Sequence, residues 1–327
     1  MTQIRLSTGS AVALGLAQAQ MEAAPTTLYA MVGEACLGAC RFCAQARDSH
    51  ADRKFLSRIA WPAYPLADVL AALTGDHHLR RICFQTLLTP DLLPTLLEMI
   101  AVIHAVSPLP ISVCMNPVSR ESLQQLKSAG VERVGVGLDC ATESLFEEIK
   151  PGFSWERTHR FLEDVAAVFG RSSIHLIVGL GESDEELLQK VQASHDHGHT
   201  VAFFAFTPLR GARLQLTPPP IERYRALQLA RRLIITGKMR VEALRFEAGR
   251  LVGLAVAPES LAATLASGAA FCTSGCPDCN RPLYNERPGG VMYNFPRPLT
   301  EDEKRAAWEE VQAYCRVYDL EHKEVAR

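Results

Sequence analysis

The sequence predicts an α/β fold: a TIM-type (βα) barrel, complete or nearly so, with a C-terminal cysteine-containing loop segment and a final helix. Three observations predict it. A chain of 327 residues is too long for one small core and suits a single α/β barrel. Apolar residues make up 48% of it, enough to fill such a core. Short apolar runs alternate with segments of helical spacing, which implies parallel strands joined by right-handed crossovers.

The elements follow in chain order. An N-terminal amphipathic helix is expected within residues 1–27, closing the bottom of the barrel. Arg5, the apolar run 11–17 and the A-x-A at 17–19 imitate a signal peptide. That run is at the lower length limit, and no twin arginine precedes it. Residues 28–32 read as a first strand that ends in Gly33. Then come a helix at 64–73, a strand at 80–84, a helix at 90–106 and a strand at 111–115 cut by Pro117. The helix at 119–129 has Ser119 at its cap and Gly130 as its stop. A strand at 131–138, helices at 143–150 and 155–169, a strand at 173–180 and a helix at 184–195 continue the rhythm. A strand at 201–207, a helix at 219–235 and a strand near 241–246 complete seven βα-like steps.

The barrel is therefore assigned to residues 28–266 and a C-terminal segment to 267–327. Within that segment, 267–298 has no periodicity and reads as a loop ordered by something other than a core. Residues 301–320 read as a closing helix carrying Trp308, Val311, Cys315 and Tyr318 on one face.

Composition excludes several roles. The 34 basic and 36 acidic residues leave a net charge of −2, which suggests neither nucleic-acid nor anionic-membrane binding. No stretch approaches the roughly 20 apolar residues of a membrane span. Ten cysteines in such a chain point to a reducing, cytoplasmic compartment, where thiols ligate metals rather than pair.

The chemistry starts at residues 33–46, GEACLGACRFCAQA, where Cys36, Cys40 and Cys43 form C-x₃-C-x₂-C. Three thiolates on one short loop can hold three irons of a [4Fe–4S] cube and leave the fourth open to a substrate or cofactor. The competing reading is a zinc knot. Structural zinc takes four N/S ligands, and no His or Cys follows in the next few residues, although Asp48 and His50 could serve. A second C-x₃-C-x₂-C, Cys272, Cys276 and Cys279 in FCTSGCPDCNRP, lies in the unpatterned loop. Metal–thiolate bonds can fix such a loop, and zinc competes here too.

Functional residues of a barrel sit at the C-terminal ends of its strands. Candidates are therefore Cys83, Gln85 and Thr86 after the second strand, and Cys114 and Asn116 after the third. Asp139 and Cys140 follow the fourth, 179–182 the fifth, Thr207 and Pro208 the sixth, and Arg245 the seventh. His195, His197 and His199 straddle a helix end, where histidines near the last carbonyls are ordinary.

The first cysteine spacing, with Phe42 before the last cysteine, resembles the signature of the radical S-adenosylmethionine (SAM) superfamily. The stretches ISVCMNPVSRESLQQLKSAGVERVGVGLDCATE, IVGLGES and FTPLRGARL resemble biotin synthase and its relatives, collinearly over about residues 28–260. SGCPDCNRPLYNERPGGVMYNFPRPL resembles the C-terminal signature of a two-protein lipoyl synthase, a pair of biotin synthase-like radical enzymes.

The resemblance implies a [4Fe–4S] cluster on Cys36, Cys40 and Cys43 whose open iron chelates SAM. Cofactor contacts would come from Phe42, Gln85 and Thr86 near the methionyl group, from Asp139 at the ribose, and from Ile177 and Gly179 at the adenine. Biotin synthase carries a second cluster on three cysteines and an arginine. Cys83, Cys114 and Arg245 fall on three of those positions, and Ser173 on the fourth. Cys83 and Cys114 read equally well as buried thiols. An auxiliary iron–sulfur cluster, of the [4Fe–4S] type, on Cys272, Cys276 and Cys279 would replace it, with a fourth ligand from Ser274, Arg281, Cys83, Cys114 or Cys140.

The implied activity is a radical SAM sulfurtransferase, lipoyl synthase-like, inserting sulfur into an octanoyl chain, with the auxiliary cluster as donor. The implied partners are the octanoylated lipoyl carrier protein, a second radical SAM synthase protein, and an electron donor such as ferredoxin or flavodoxin. Two other readings stand beside it: another radical enzyme (biotin synthase-type, C–C lyase, mutase or methyltransferase), or a non-catalytic iron–sulfur or zinc protein.

Overall fold

The computed structural model describes residues 2–283 and 290–319. The chain enters as a strand, not as the expected helix: β1 (Gln3–Leu6) pairs antiparallel with β2 (Thr27–Val32), Arg5 opposite Met31. Ile4 and Leu6 are buried on either side of Arg5, the period-2 alternation of a strand. Only Thr8–Ala13 forms a helix, α1, and Gly15 at φ 71° follows its end. A hairpin of β3 (Phe55–Leu56) and β4 (Ile59–Ala60) comes next. It is followed by β5 (Ala63–Pro65), which pairs with the other edge of β1.

From there the alternation follows the sequence closely. The order is α2 (Leu66–Leu73), β6 (Arg81–Thr86), α3 (Leu92–His104), β7 (Ile111–Cys114), α4 (Arg120–Ser128) and β8 (Val131–Asp139). Next are α5 (Glu143–Ile149), α6 (Trp155–Phe169), β9 (Ser173–Val178), α7 (Asp184–Asp196), β10 (Thr200–Ala205) and α8 (Ile221–Ile235). The Ser119 hydroxyl caps α4 by accepting the Ser122 N–H at 3.2 Å, and Ser183 and Glu186 form a reciprocal capping box on α7.

Eight strands of the described residues form one sheet in the order β10-β9-β8-β7-β6-β2-β1-β5, parallel from β2 through β10. The sheet ends at β10 and β5 without pairing them, so a complete barrel is not formed among these residues. The expected seventh strand is the reason. After a 3₁₀ turn (Val241–Ala243), β11 (Leu244–Glu247) reverses into β12 (Arg250–Val256) as an antiparallel hairpin. Ala248 and Gly249, at φ 48° and 78°, take the two left-handed positions that such a two-residue turn requires. β11 and β12 pair with each other in a separate sheet, so they do not extend the main sheet beyond β10.

The C-terminal part holds α9 (Pro258–Ser267), which the sequence reading lacked, and α10 (Glu301–Tyr314). The closing helix is shorter than expected. Cys315 is already extended at φ −144°, and Tyr318 lies in β13 (Arg316–Asp319), parallel to β12. Residue 320, and residues 284–289 of the C-terminal signature, lie outside the described residues.

Alternation along the parallel strands sorts core from site. Ala30, Val32, Ile82, Phe84, Val113, Val134, Leu176 and Val178 are buried in the core they share with Leu96, Ile100, Leu123, Leu162 and Leu188 of the helices. The intervening residues, Met31, Gln85, Cys114, Asp139, His175 and Ile177, line a cavity on the opposite face.

Candidate active site

The cysteine loop follows β2 and is fixed by backbone hydrogen bonds rather than by regular structure. Leu37 N–H donates to Leu88 O, Arg41 N–H to Ile149 O and Arg47 N–H to Gly38 O, each at 2.9 Å, and Leu214 N–H donates to Arg41 O at 2.7 Å. A Cβ on Gly38 would lie 2.8 Å from the Phe153 ring, so the loop passes there only without a side chain.

Cys36, Cys40 and Cys43 line one cavity of about 220 Å³. Gly38 N–H donates to Cys36 Sγ at 3.3 Å, and Gln45 N–H to Cys43 Sγ at 3.4 Å. Such donors favour thiolates. Burial opposes them, pushing Cys43 up to about 11 and Cys40 higher still. Buried thiols with N–H donors but no sufficient cation fit a metal centre, which supplies the missing positive charge. Among the described residues, no three His, Cys, Asp or Glu side chains are grouped for a single metal ion. A cube differs from a single ion in spreading its ligands over separate irons.

The same cavity gathers most of the expected cofactor contacts: Phe42, Gln85, Thr86, Asp139 and Ile177 all line it. Gly179 is not among the lining residues. It lies in the turn after β9 at φ 102°, where its N–H and that of Leu180 donate to the Glu182 carboxylate at 2.8 and 2.9 Å. Arg223 holds Glu182 at 3.0 Å and Asp184 at 2.7 Å, so the turn is braced from α8.

Two titratable lining residues were missed. Lys150, just beyond α5, reaches Asp139 Oδ2 at 2.8 Å and also donates to Gly137 O. Burial lowers its pKa, but Asp139 and Cys40 outweigh that and raise it, so it stays a cation. His175 sits two residues before Ile177, on the same face of β9. Burial, then the cations Arg281 and Lys150, push it down to about 3, so it is neutral. Period-2 alternation counted back from Ile177 would have found it.

The second cysteine motif is divided. Cys276 and Cys279 line a smaller cavity of about 50 Å³ together with Cys83 and Arg281. This cavity shares Gln85, His175 and Phe204 with the larger one. Cys272 lies elsewhere, its thiol directed at Arg297 O (3.5 Å) and Gly268 O (3.8 Å). Cys114 lines the larger cavity, 3.7 Å from His175 Nδ1, and Cys140 is buried. Arg245, expected in the barrel, is instead in β11, stacked over the Tyr318 ring at 4.9 Å, because β11 left the parallel sheet. The His199 ring is 2.6 Å from the Ser172 hydroxyl and that of His197 2.7 Å from Ala193 O, local contacts rather than a metal site.

A parallel sheet with a three-cysteine loop at its C-terminal edge defines a radical SAM protein, and residues 31–192 match the model of the radical SAM superfamily. By that match the chain belongs to the superfamily. Over 59 residues, 17% of this chain and 18% of the relative, it is 41% identical to the lipoyl synthase of Pasteurella multocida. Over 89 residues, 27% of this chain and 26% of the relative, it is 29% identical to the biotin synthase of Sulfurihydrogenibium sp.. The matches thus span a third or less of these curated relatives. Among solved structures, the hydrogenase maturase HydG of Carboxydothermus hydrogenoformans superposes with a TM-score of 0.52 at 15% identity, covering 73% of this chain and 56% of that one. A methylornithine synthase gives 0.51 at 11% identity, over 62% of this chain and 59% of that one. These two likenesses establish the fold alone. Among the described residues, no helix is long and apolar enough to cross a membrane.

Proposed function

We propose that this radical SAM protein is a lipoyl synthase-like sulfurtransferase that inserts sulfur into an octanoyl chain. The observation that carries the reading is the pair of cysteine-lined cavities meeting at a wall of Gln85, His175 and Phe204. An enzyme that activates a carbon and then hands it sulfur needs two such sites within reach of one substrate. A radical enzyme with a single cluster needs only the first.

In this reading Cys36, Cys40 and Cys43 hold the first [4Fe–4S] cluster, and cysteines of the C-terminal loop hold an auxiliary iron–sulfur cluster. When bound, the first cluster and SAM, given one electron from an external donor, would supply the radical chemistry that breaks an unactivated C–H bond, and the auxiliary cluster would supply sulfur. The chain does the positioning. The Asp139 carboxylate would accept hydrogen bonds from ribose hydroxyls, and Ile177 would contact the adenine. Phe42, Gln85 and Thr86 flank the methionyl group. Ile177, Phe204 and Phe206 are apolar lining that excludes water and competing hydrogen donors. The neutral His175 imidazole offers a hydrogen bond at the shared wall without adding charge.

The partners in this reading are the octanoylated lipoyl carrier protein, a second radical SAM synthase protein and a ferredoxin or flavodoxin donor. The biotin synthase similarity favours a second reading, sulfur insertion into a different acceptor by the same two-site chemistry.

The test is anaerobic reconstitution followed by incubation of the reduced protein with SAM and an octanoyl-lysyl carrier peptide. Sulfur gained by the peptide, read by mass spectrometry, with 5′-deoxyadenosine formed, supports the reading. 5′-Deoxyadenosine without sulfur gain, with the partner synthase present, removes it.

A further inference from the structure

We propose that the auxiliary cluster is held by Cys83 of β6 together with Cys276 and Cys279 of the C-terminal loop, and that Cys272 is not a ligand. The inference rests on the reading that an auxiliary cluster exists, and it replaces the contiguous C-x₃-C-x₂-C set with one assembled across the fold.

The geometry points to this set in three ways. First, Cys83, Cys276 and Cys279 line the same cavity, and Cys272 does not. Cys272 is committed elsewhere: its thiol faces Arg297 O at 3.5 Å, and the next residue, Thr273, donates its N–H to Phe295 O at 2.9 Å. The Cys272 backbone is itself fixed by an isolated parallel β-bridge to Phe295.

Second, the loop is tied into its place against the sheet from several strands. Thr27 Oγ1 donates to Asp278 O at 2.7 Å, Arg81 Nε to Pro277 O at 3.2 Å, and Phe203 N–H to Ser274 Oγ at 2.9 Å. Thr26 N–H donates to Asn280 Oδ1 at 3.0 Å. These bonds reach the starts of β2 and β6 and the middle of β10, so the loop seals the end of the sheet opposite the first cysteine loop. Cys276 and Cys279 are delivered inward by that closure.

Third, the cavity is built for anionic sulfur. The Tyr29 hydroxyl is 3.1 Å from Cys279 Sγ, and the Ser173 hydroxyl is 4.0 Å from Cys276 Sγ. Arg81 and Arg281 line the same cavity; Arg81 is already paired with Glu132 Oε2 at 2.9 Å, so the cation that can offset thiolate charge there is Arg281. Three thiolates there would hold three irons of a cluster in a cavity that shares Gln85, His175 and Phe204 with the first site.

The experiment starts from a Cys36→Ala/Cys40→Ala/Cys43→Ala protein, in which only an auxiliary cluster can assemble. After anaerobic reconstitution, iron, zinc and acid-labile sulfide are counted, and the reduced protein is examined by electron paramagnetic resonance. Adding Cys272→Ala leaves iron and sulfide within about a fifth of the background, while adding Cys83→Ala or Cys276→Ala removes most of both. Cys83→Ser, which keeps the volume, guards against loss of fold: it yields a cluster with an altered resonance, or none, in a protein whose thermal unfolding is unchanged. Loss with Cys272→Ala and retention with Cys83→Ala would overturn the ligand set and leave the auxiliary cluster standing. Zinc in place of iron, or no metal in the background protein, overturns both.

Discussion

Lys150 Nζ lies 2.8 Å from Asp139 Oδ2 at the edge of the cysteine-lined cavity, with side-chain exposures of 5% and 13%. The pair fixes more than itself. Asp139 is at φ 67°, an unusual backbone for a non-glycine residue, where the pairing register between β8 and β9 shifts. Lys150 also holds the Gly137 carbonyl, so it clamps the strand end that aims Asp139 into the cavity. Removing one partner of a buried pair strands the other charge, at a cost of about 3–5 kcal/mol. Lys150→Met should therefore destabilise the cluster-free protein by about that much, and Lys150→Met/Asp139→Asn by clearly less than the sum of the single changes. Urea unfolding of the four proteins closes the cycle; additive losses would mean the pair is not coupled.

His175 gives a pH prediction. Its folded-state pKa is depressed to about 3, against about 6.5 in an unfolded chain. Below 6.5 the unfolded state takes a proton that the folded state refuses. The stability tied to this residue is therefore complete above pH 6.5 and falls as pH drops toward 3. Between pH 7.5 and 5.5 the loss is about 1 kcal/mol. His175→Asn should remove that part of the acid sensitivity in unfolding measured at the two pH values. An unchanged pH dependence would show that His175 is already protonated in the fold.

The Glu182 carboxylate accepts two backbone N–H groups and faces Arg223, all beneath the turn that carries Gly179. Glu182→Ala leaves those donors buried and unpaired, at a cost of roughly 3 kcal/mol. Because Ile177 precedes the turn and lines the cavity, SAM affinity should fall several-fold as well. Calorimetric titration with SAM beside an unfolding curve checks both. Lost stability with full affinity would separate the turn from the cofactor.

How far the sequence could be read depends on the range of the interaction. Phe42 and Ile177 came only through the family resemblance, whereas Gln85 and Thr86 were legible because strand ends direct them to the cavity. The Ser119 cap was legible for the same local reason. Lys150 was not, since its place depends on how the end of α5 packs against β8. Cys83 meets Cys276 and Cys279 only because bonds from Thr27, Arg81 and Phe203 bring a distant loop to the sheet. A pattern of spacing could offer Cys272 as readily as Cys83. The N-terminal strand was misread because Ile4 and Leu6 make too short an alternation to outweigh the apolar residues after them.

The first cysteine loop supports one more prediction, because its strongest tethers are backbone hydrogen bonds, the thiols adding only the weaker contacts from Gly38 N–H and Gln45 N–H. Three backbone hydrogen bonds hold it to Leu88, Ile149 and Leu214, and a fourth, Arg47 N–H to Gly38 O, closes the loop on itself. Changing one thiol to a methyl group removes little buried volume, so Cys36→Ala, Cys40→Ala and Cys43→Ala should each shift the unfolding midpoint of the cluster-free protein only slightly, by about 1 kcal/mol or less. Metal loading should respond in full. A cube held by three thiolates is poorly retained by two, so each variant should reconstitute with about four fewer irons per chain and form no 5′-deoxyadenosine. The readouts are iron content, unfolding of the metal-free protein and SAM cleavage, taken on the same preparations. If Cys40→Ala kept its full iron content while losing cleavage, Cys40 would be acting on SAM rather than holding the metal, and the ligand assignment would fail at that residue.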